Sequence, residues 1–144
     1  QCPIVIYASE KDNVQRFFFT IFTIGLRRWR YDSNGNTADS RAFSNGYMKQ
    51  WEVWGRNDAP SQDGSWEGWT KLMDCQSVKP SGLPVGQLSE EDRTRVAEGE
   101  TFLFPKGVPE VRYIRFKVND VWNTAEGRFL TFTELTFWEY LPQE

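Results

Sequence analysis

The chain contains no histidine. Ser–His and Cys–His nucleophile pairs need an imidazole base, and many zinc sites need an imidazole ligand, so both classes fall away together. Cysteine is scarce. Cys2 and Cys75 are the only two, and their spacing fits no metal or redox motif; they either pair in one disulfide or stand as thiols. Long apolar runs are missing as well. The longest, Phe17–Phe22, is interrupted by Thr20 and is far shorter than the roughly 20 residues needed to span a bilayer as a helix. A basic excess is absent too: the formal net charge is −3 and the pI about 5.1, which gives no electrostatic footprint for nucleic acid. No internal repeat or low-complexity tract occurs. The chain opens at Gln1 with neither methionine nor signal peptide, as expected of a processed form or an excised piece.

What is present is aromatic and polar at once. Aromatic residues make up 16% of the chain, seven of them tryptophan, yet mean hydropathy is −0.62. Such chains are often β-proteins that also expose rings for binding. The length, 144 residues, predicts a single domain over 1–144 with a real core.

Six segments read as strands by alternation and β-branched or aromatic content: 16–31, 46–55, 68–75, 100–105, 111–118 and 128–140. Gly25 reads as a break or bulge in the first. In "KQWEVWG" (49–55), Trp51 and Val53 share one face, and Glu52 and Trp54 the other. Trp51 belongs to the core; Trp54 covers the outside of the sheet or docks a neighbouring domain. Trp66, Trp69 and Trp138 lie in or beside strands and read as core or inter-sheet packing. One short helix is predicted in a loop, with Ser89 as N-cap, Glu90, Glu91 and Asp92 in the first turn, and Gly99 closing it. Asp92 completes an approximate capping box with Ser89. The class is all-β, an antiparallel jelly roll or β-sandwich with one short helix.

If successive strands run antiparallel, loops 32–46, 76–99 and 119–128 share one end and loops 56–67 and 105–110 the other. The first set is longer and richer in Asn and Gly, so binding is expected there, on loops held by a rigid scaffold. "VNDVWNTAEGR" (118–128) sets Trp122 among Asp120, Asn123 and other polar residues. A ring so placed either recognises a ligand or anchors the loop. Trp29, Arg30 and Tyr31 lead into loop 32–46, where Arg30 or Arg41 offers a guanidinium fork for hydroxyls or a carboxylate. Arg30, Tyr31, Arg41, Asp120, Trp122 and Asn123 are therefore the candidate ligand-binding residues.

Two acidic patterns are discounted. "DSNGNT" (32–37) starts like a calcium loop, but Thr37 stands where glycine is needed and Phe43 where a bidentate glutamate belongs; a turn is the better reading. The carboxylates of "SEEDRTRVAEGE" (89–100) cluster on one short helix, which suits a solvated face rather than a glycosidase pair facing across a cleft.

Four segments, "WEVWGRND" (51–58), "SWEGWTKL" (65–72), "VRYIRFKV" (111–118) and "FTELTFWEY" (132–140), resemble in their order and spacing the discoidin-like family, the coagulation factor 5/8 type C or galactose-binding-like domains. Residues 46–140 match best and 1–30 are atypical. The insertion at 79–105 is similar to that of C-terminal discoidin-like domains on Bacteroidetes surface proteins associated with glycan utilisation. The resemblance implies an eight-stranded jelly roll without catalytic machinery, an extracytoplasmic location at the cell surface or secreted, and a glycan or glycoconjugate as partner, bound by ring stacking at loop ends. In that family the Trp122 loop often supplies the stacking ring. It also implies a structural calcium between the opening segment, here "ASEKDN" (8–13), and Glu134. The expected function is a non-catalytic carbohydrate-binding module, not an enzyme; a protein-interaction or spacer domain that docks other domains of its parent protein is the alternative. Membrane binding is disfavoured, because Asp120 and Glu126 beside Trp122 would repel an anionic bilayer.

Overall fold

A computed structural model of the chain describes residues 4–7, 21–27, 42–44, 47–122 and 134–139. Strands β1 (Ile4–Tyr7), β2 (Ile21–Arg27), β3 (Met48–Arg56) and β4 (Thr70–Gln76) precede helix α1 (Glu90–Glu98). Strands β5 (Glu100–Leu103), β6 (Tyr113–Val121) and β7 (Glu134–Glu139) follow it. They form a four-stranded sheet, β1-β6-β3-β4, and a three-stranded sheet, β5-β2-β7. Every pairing is antiparallel. The architecture is the antiparallel β-sandwich expected, with one helix in a connection.

The core lies between the sheets. Met48, Trp51 and Val53 of β3, Met73 and Cys75 of β4, and Ile114 and Phe116 of β6 are buried there. Leu135 and Phe137 of β7 pack against them from the other sheet. The Trp51 ring meets Phe102 of β5 edge-on, with centroids 4.8 Å apart, and so ties the two layers together. Gly55 is required by close packing: a Cβ there would stand 2.5 Å from Val111 Cγ1 and 2.8 Å from Leu72 Cδ1.

Helix α1 forms for the reasons its sequence gives. The Ser89 side chain accepts from the Asp92 amide at 3.2 Å and the Asp92 carboxylate from the Ser89 amide at 3.0 Å, a complete capping box. Gly99 ends it at φ 85°. The solvated acidic face needs one correction. Glu90, Glu91 and Glu98 are exposed, but Asp92 is fully buried. Its carboxylate also accepts from the Ser81 amide at 3.0 Å and hydroxyl at 2.6 Å, and lies 4.0 Å from Lys79 Nζ. Lys79 in turn donates to the carbonyls of Leu83 (2.9 Å), Pro84 (3.0 Å) and Gln87. The pair thus cross-links the long Pro/Gly loop to the helix. Desolvation raises the Asp92 pKa, but the hydrogen bonds from Ser81 and Ser89 and the charge of Lys79 outweigh it and hold the carboxyl below its ordinary value.

Three further expectations are corrected. β2 pairs without interruption through Gly25, and its irregularity falls between Ile21 and Thr23. β6 runs on to Val121, so Asp120 lies in a strand and Trp122 at its end rather than in mid-loop. Register shifts between Met48 and Trp51 allow this, because they keep β6 paired beside the start of β3. Trp69 is buried, as expected, and Trp66 half-buried, but neither belongs to the cluster between the sheets. They lie against the outward face of the four-stranded sheet, where the buried Arg115 guanidinium sits 3.9 Å from the Trp66 ring centroid and 5.5 Å from that of Trp69. Cys75 is a free, buried thiol. Cys2, Trp138's side chain and the segments 8–13 and 32–41 lie outside the described residues.

Candidate functional site

At one end of the sandwich, residues 42–44, Tyr47, helix α1 and the end of β6 converge. Ala42, Phe43, Tyr47 and Val96 form a second buried cluster, with Leu88 and Trp122 packed against it. These are segments of the loops that alternation assigned to one end. At the opposite end Asn57 Nδ2 donates to Glu110 O at 3.1 Å, and the Arg112 amide to Arg56 O at 3.1 Å, joining the remaining loops there.

Phe43 is the keystone of the first end. It is fully buried yet adopts φ 46°, a left-handed conformation unusual for a bulky side chain. Its ring lies 4.8 Å from Tyr47 and meets Trp122 edge-on at 5.5 Å. The Trp122 amide donates to Tyr47 O at 3.0 Å. Trp122 is therefore half-buried, a ring seated on the cluster, and its buried Nε1 has no hydrogen-bond partner among the described residues. Beneath, the buried Glu100 carboxylate accepts from Ser77 Oγ at 2.8 and 2.9 Å and from Tyr47 Oη at 3.5 Å. Those bonds fasten the start of β5 to Ser77, just past β4, and to Tyr47.

Lys49 caps the arrangement. Its ammonium stands 5.4 Å from the Trp122 ring centroid and 3.2 Å from Asp120 Oδ2. Asp120 Oδ1 accepts from the Val121 amide at 2.9 Å. The side chains of Lys49 and Asp120 are 39% and 45% exposed, so solvent reaches one cation, one carboxylate and one ring at a single place. That combination can stack on a C–H face while donating to and accepting from hydroxyls.

Of the sequence candidates, Trp122 and Asp120 come together here. Asn123, Arg30, Tyr31 and Arg41 lie outside the described residues. Glu134 opens β7 as the register partner of Arg27. Among the described residues, no group of three His, Cys, Asp or Glu is arranged to hold a metal, and no helix is long and apolar enough to cross a membrane. Lys49 was not legible as a site residue. In a regular strand, alternation turns it away from its neighbours on the Met48 face, and only the register shifts after Met48 aim it at Asp120 and Trp122.

The fold has solved relatives. A SusE-like protein matches with a TM-score of 0.73 and 40% identity, over 84% of this chain and 42% of its own. This chain thus spans less than half of that structure. A fragment from Bacteroides thetaiotaomicron, named as a candidate chitobiase, matches at 0.48 and 19% identity, over 88% of this chain and 57% of that one. None of the curated proteins matches. The family model of DUF5000, described as a domain of unknown function, covers residues 8–139, and the chain belongs to that family.

Proposed function

We propose that this chain is a non-catalytic glycan-binding domain of a Bacteroidetes surface or secreted protein, with its site at the Trp122 end of the sandwich. One observation carries the reading: Trp122, Lys49 and Asp120 stand together where β3 begins and β6 ends, in a chain 40% identical over 84% of its length to a SusE-like protein. The Phe43 seat fixes the ring, and a fixed ring loses little freedom on binding. The β-sandwich and the four sequence segments that resemble discoidin-like domains support the same assignment, as does that family's use of end loops. Asn123, Arg30, Tyr31 and Arg41, which the sequence assigns to the loops of this end, are the further ligand-binding residues of this reading. A calcium ion held in part by Glu134 is a structural support in this reading, not a participant in binding.

A glycan array probed with the 144-residue chain tests the proposal. Reproducible hits that weaken in Lys49→Ala and Asp120→Ala are expected. Silence across neutral and acidic glycans alike refutes it.

The second reading is a spacer or docking domain. It is favoured by the seating of Trp122 on Phe43, which suffices to explain the ring as a loop anchor. It predicts no glycan hits and burial of the Lys49–Asp120 pair against a sister domain in the full-length protein.

A further inference from the structure

Three apolar residues of the loop between β4 and α1, Val78, Leu83 and Val85, are exposed, so apolar burial does little to order it. What the loop encloses is a charge. Lys79 is buried, and its ammonium donates to the carbonyls of Leu83 at 2.9 Å, Pro84 at 3.0 Å and Gln87. A lysine ammonium has three N–H donors, and each meets a backbone oxygen here. Gly82 and Gly86 let the chain curl around it. They adopt φ 66° and 91° with open space about each, so backbone conformation rather than packing asks for glycine. The remaining wall is the Asp92 carboxylate, 4.0 Å from Nζ, and both side chains are almost wholly shielded from solvent.

Asp92 takes its hydrogen bonds from Ser81 and Ser89 and meets Lys79 through charge. Three neutral oxygens and one carboxylate thus enclose one cation of single charge. The spacing is that of N–H donors on oxygen. Calcium takes about six to eight oxygens at roughly 2.3–2.6 Å, which this cage does not offer. Without the ammonium, three carbonyls would lose a donor and a buried carboxylate its counter-charge, which is costly away from water. An emptied cage therefore favours any cation that can make the same bonds. The cage also adjoins the Trp122 seat. Gln87 precedes Leu88, and Asp92 lies one turn before Val96 on α1; Leu88 and Val96 both pack in the cluster that holds Trp122.

We infer that residues 79–92 form a primary-ammonium site whose resident ligand is the chain's own Lys79, and that the seated cation positions Leu88 and Val96 against the Trp122 cluster. Once the Lys79 stem is removed, the site takes a free alkylammonium in its place. Lys79 is a positioning residue for that end of the sandwich, whatever the end recognises, so the inference does not depend on glycan binding.

The test compares the 144-residue chain with Lys79→Ala in propylammonium chloride and in tetramethylammonium chloride at equal ionic strength. Propylammonium matches the stem that alanine lacks; tetramethylammonium carries the same charge but no N–H. In the tetramethylammonium salt, Lys79→Ala is expected to melt about 10 °C below the parent, as for a broken buried pair. Propylammonium is expected to recover about half of that loss, and more as its concentration rises, while the parent melts alike in both salts. Exchange of the Trp122 amide, which donates to Tyr47 O, is expected to quicken about tenfold in Lys79→Ala and to slow again with the amine. Lys79→Met keeps the stem without the charge and is expected to gain nothing from propylammonium. If Lys79→Ala does not fold without the amine, refolded yield in the two salts replaces the melt. A parent-like melt of Lys79→Ala, equal melts or yields in the two salts, an equal gain in Lys79→Met, or rescue by calcium chloride in place of the amine overturns the inference. Unchanged Trp122 amide exchange in a destabilised Lys79→Ala overturns the positioning role.

Discussion

Trp51 and Trp54 stand three residues apart on one strand and serve opposite surfaces. Trp51 is 2% exposed and joins the two sheets through Phe102. Trp51→Ala is expected to cost about 3–5 kcal/mol, read as a lowered denaturant midpoint with an unchanged slope. Trp122→Ala removes a half-buried ring and should cost about 1–2 kcal/mol of stability, so the variant remains foldable and its binding can be measured. Cys75 gives a simpler residue-scale prediction. Burial, with the charge of neighbouring Asp74 as a lesser cause, pushes its thiol pKa up to about 12. Iodoacetamide at about pH 8 should therefore leave Cys75 unmodified in the folded chain and alkylate it after denaturation, as intact-peptide mass spectrometry would report. Modification of native Cys75 within minutes would contradict the burial.

At the scale of elements, β3 tolerates little change. Gly55→Ala places a methyl group against Val111 and Leu72 and is expected to destabilise by about 1–3 kcal/mol through overpacking. A thermal melt that matches the parent would mean that Val111 can move aside. The helix and its loop share one titrating lock, Asp92. Because its folded-state pKa is depressed, the carboxylate contributes stability above the unfolded value of about 3.9 and loses it as pH falls through the lower folded value. Asp92→Asn should lower stability at neutral pH and flatten the acid limb of the stability profile. An unchanged acid limb would mean that other carboxylates govern acid unfolding. Alternation, β-branched content and the Ser89–Asp92 spacing made strands β2 to β7 and the helix legible in the sequence, and the helix to its capping residues. β1 was not legible: "IVIY" (4–7) is four residues long, and, unlike at β5, equally short but followed by the stop at Pro105, nothing after it marks an end. Nor could local patterns show that Asp92 is buried, since its partner Lys79 belongs to a loop whose path no periodicity describes. The same limit applied to Trp66 and Trp69, which are ordered by Arg115 from across the sheet rather than by their own segment.

For the whole molecule, strand parity was enough to bring the described parts of three loops to one end, because every pairing among the described strands is antiparallel. It pointed to Trp122 and Asp120 but not to Lys49, whose place depends on a register shift, nor to Phe43, which holds the ring from below in a backbone conformation no propensity favours. If calcium supports the fold through Glu134, a chelator should lower the melting temperature and added calcium restore it; identical melts would remove the metal. The most direct measurement is calorimetric titration of the chain, beside Trp122→Ala, with whichever glycan gives the strongest array signal. Stacking of one ring is worth about 1–3 kcal/mol in nucleic-acid systems, and a sugar face should sit toward the lower end, so a loss of about tenfold in affinity is predicted for Trp122→Ala while its circular dichroism stays β-dominated. An affinity unchanged in a folded Trp122→Ala variant would contradict a glycan site at this end of the sandwich.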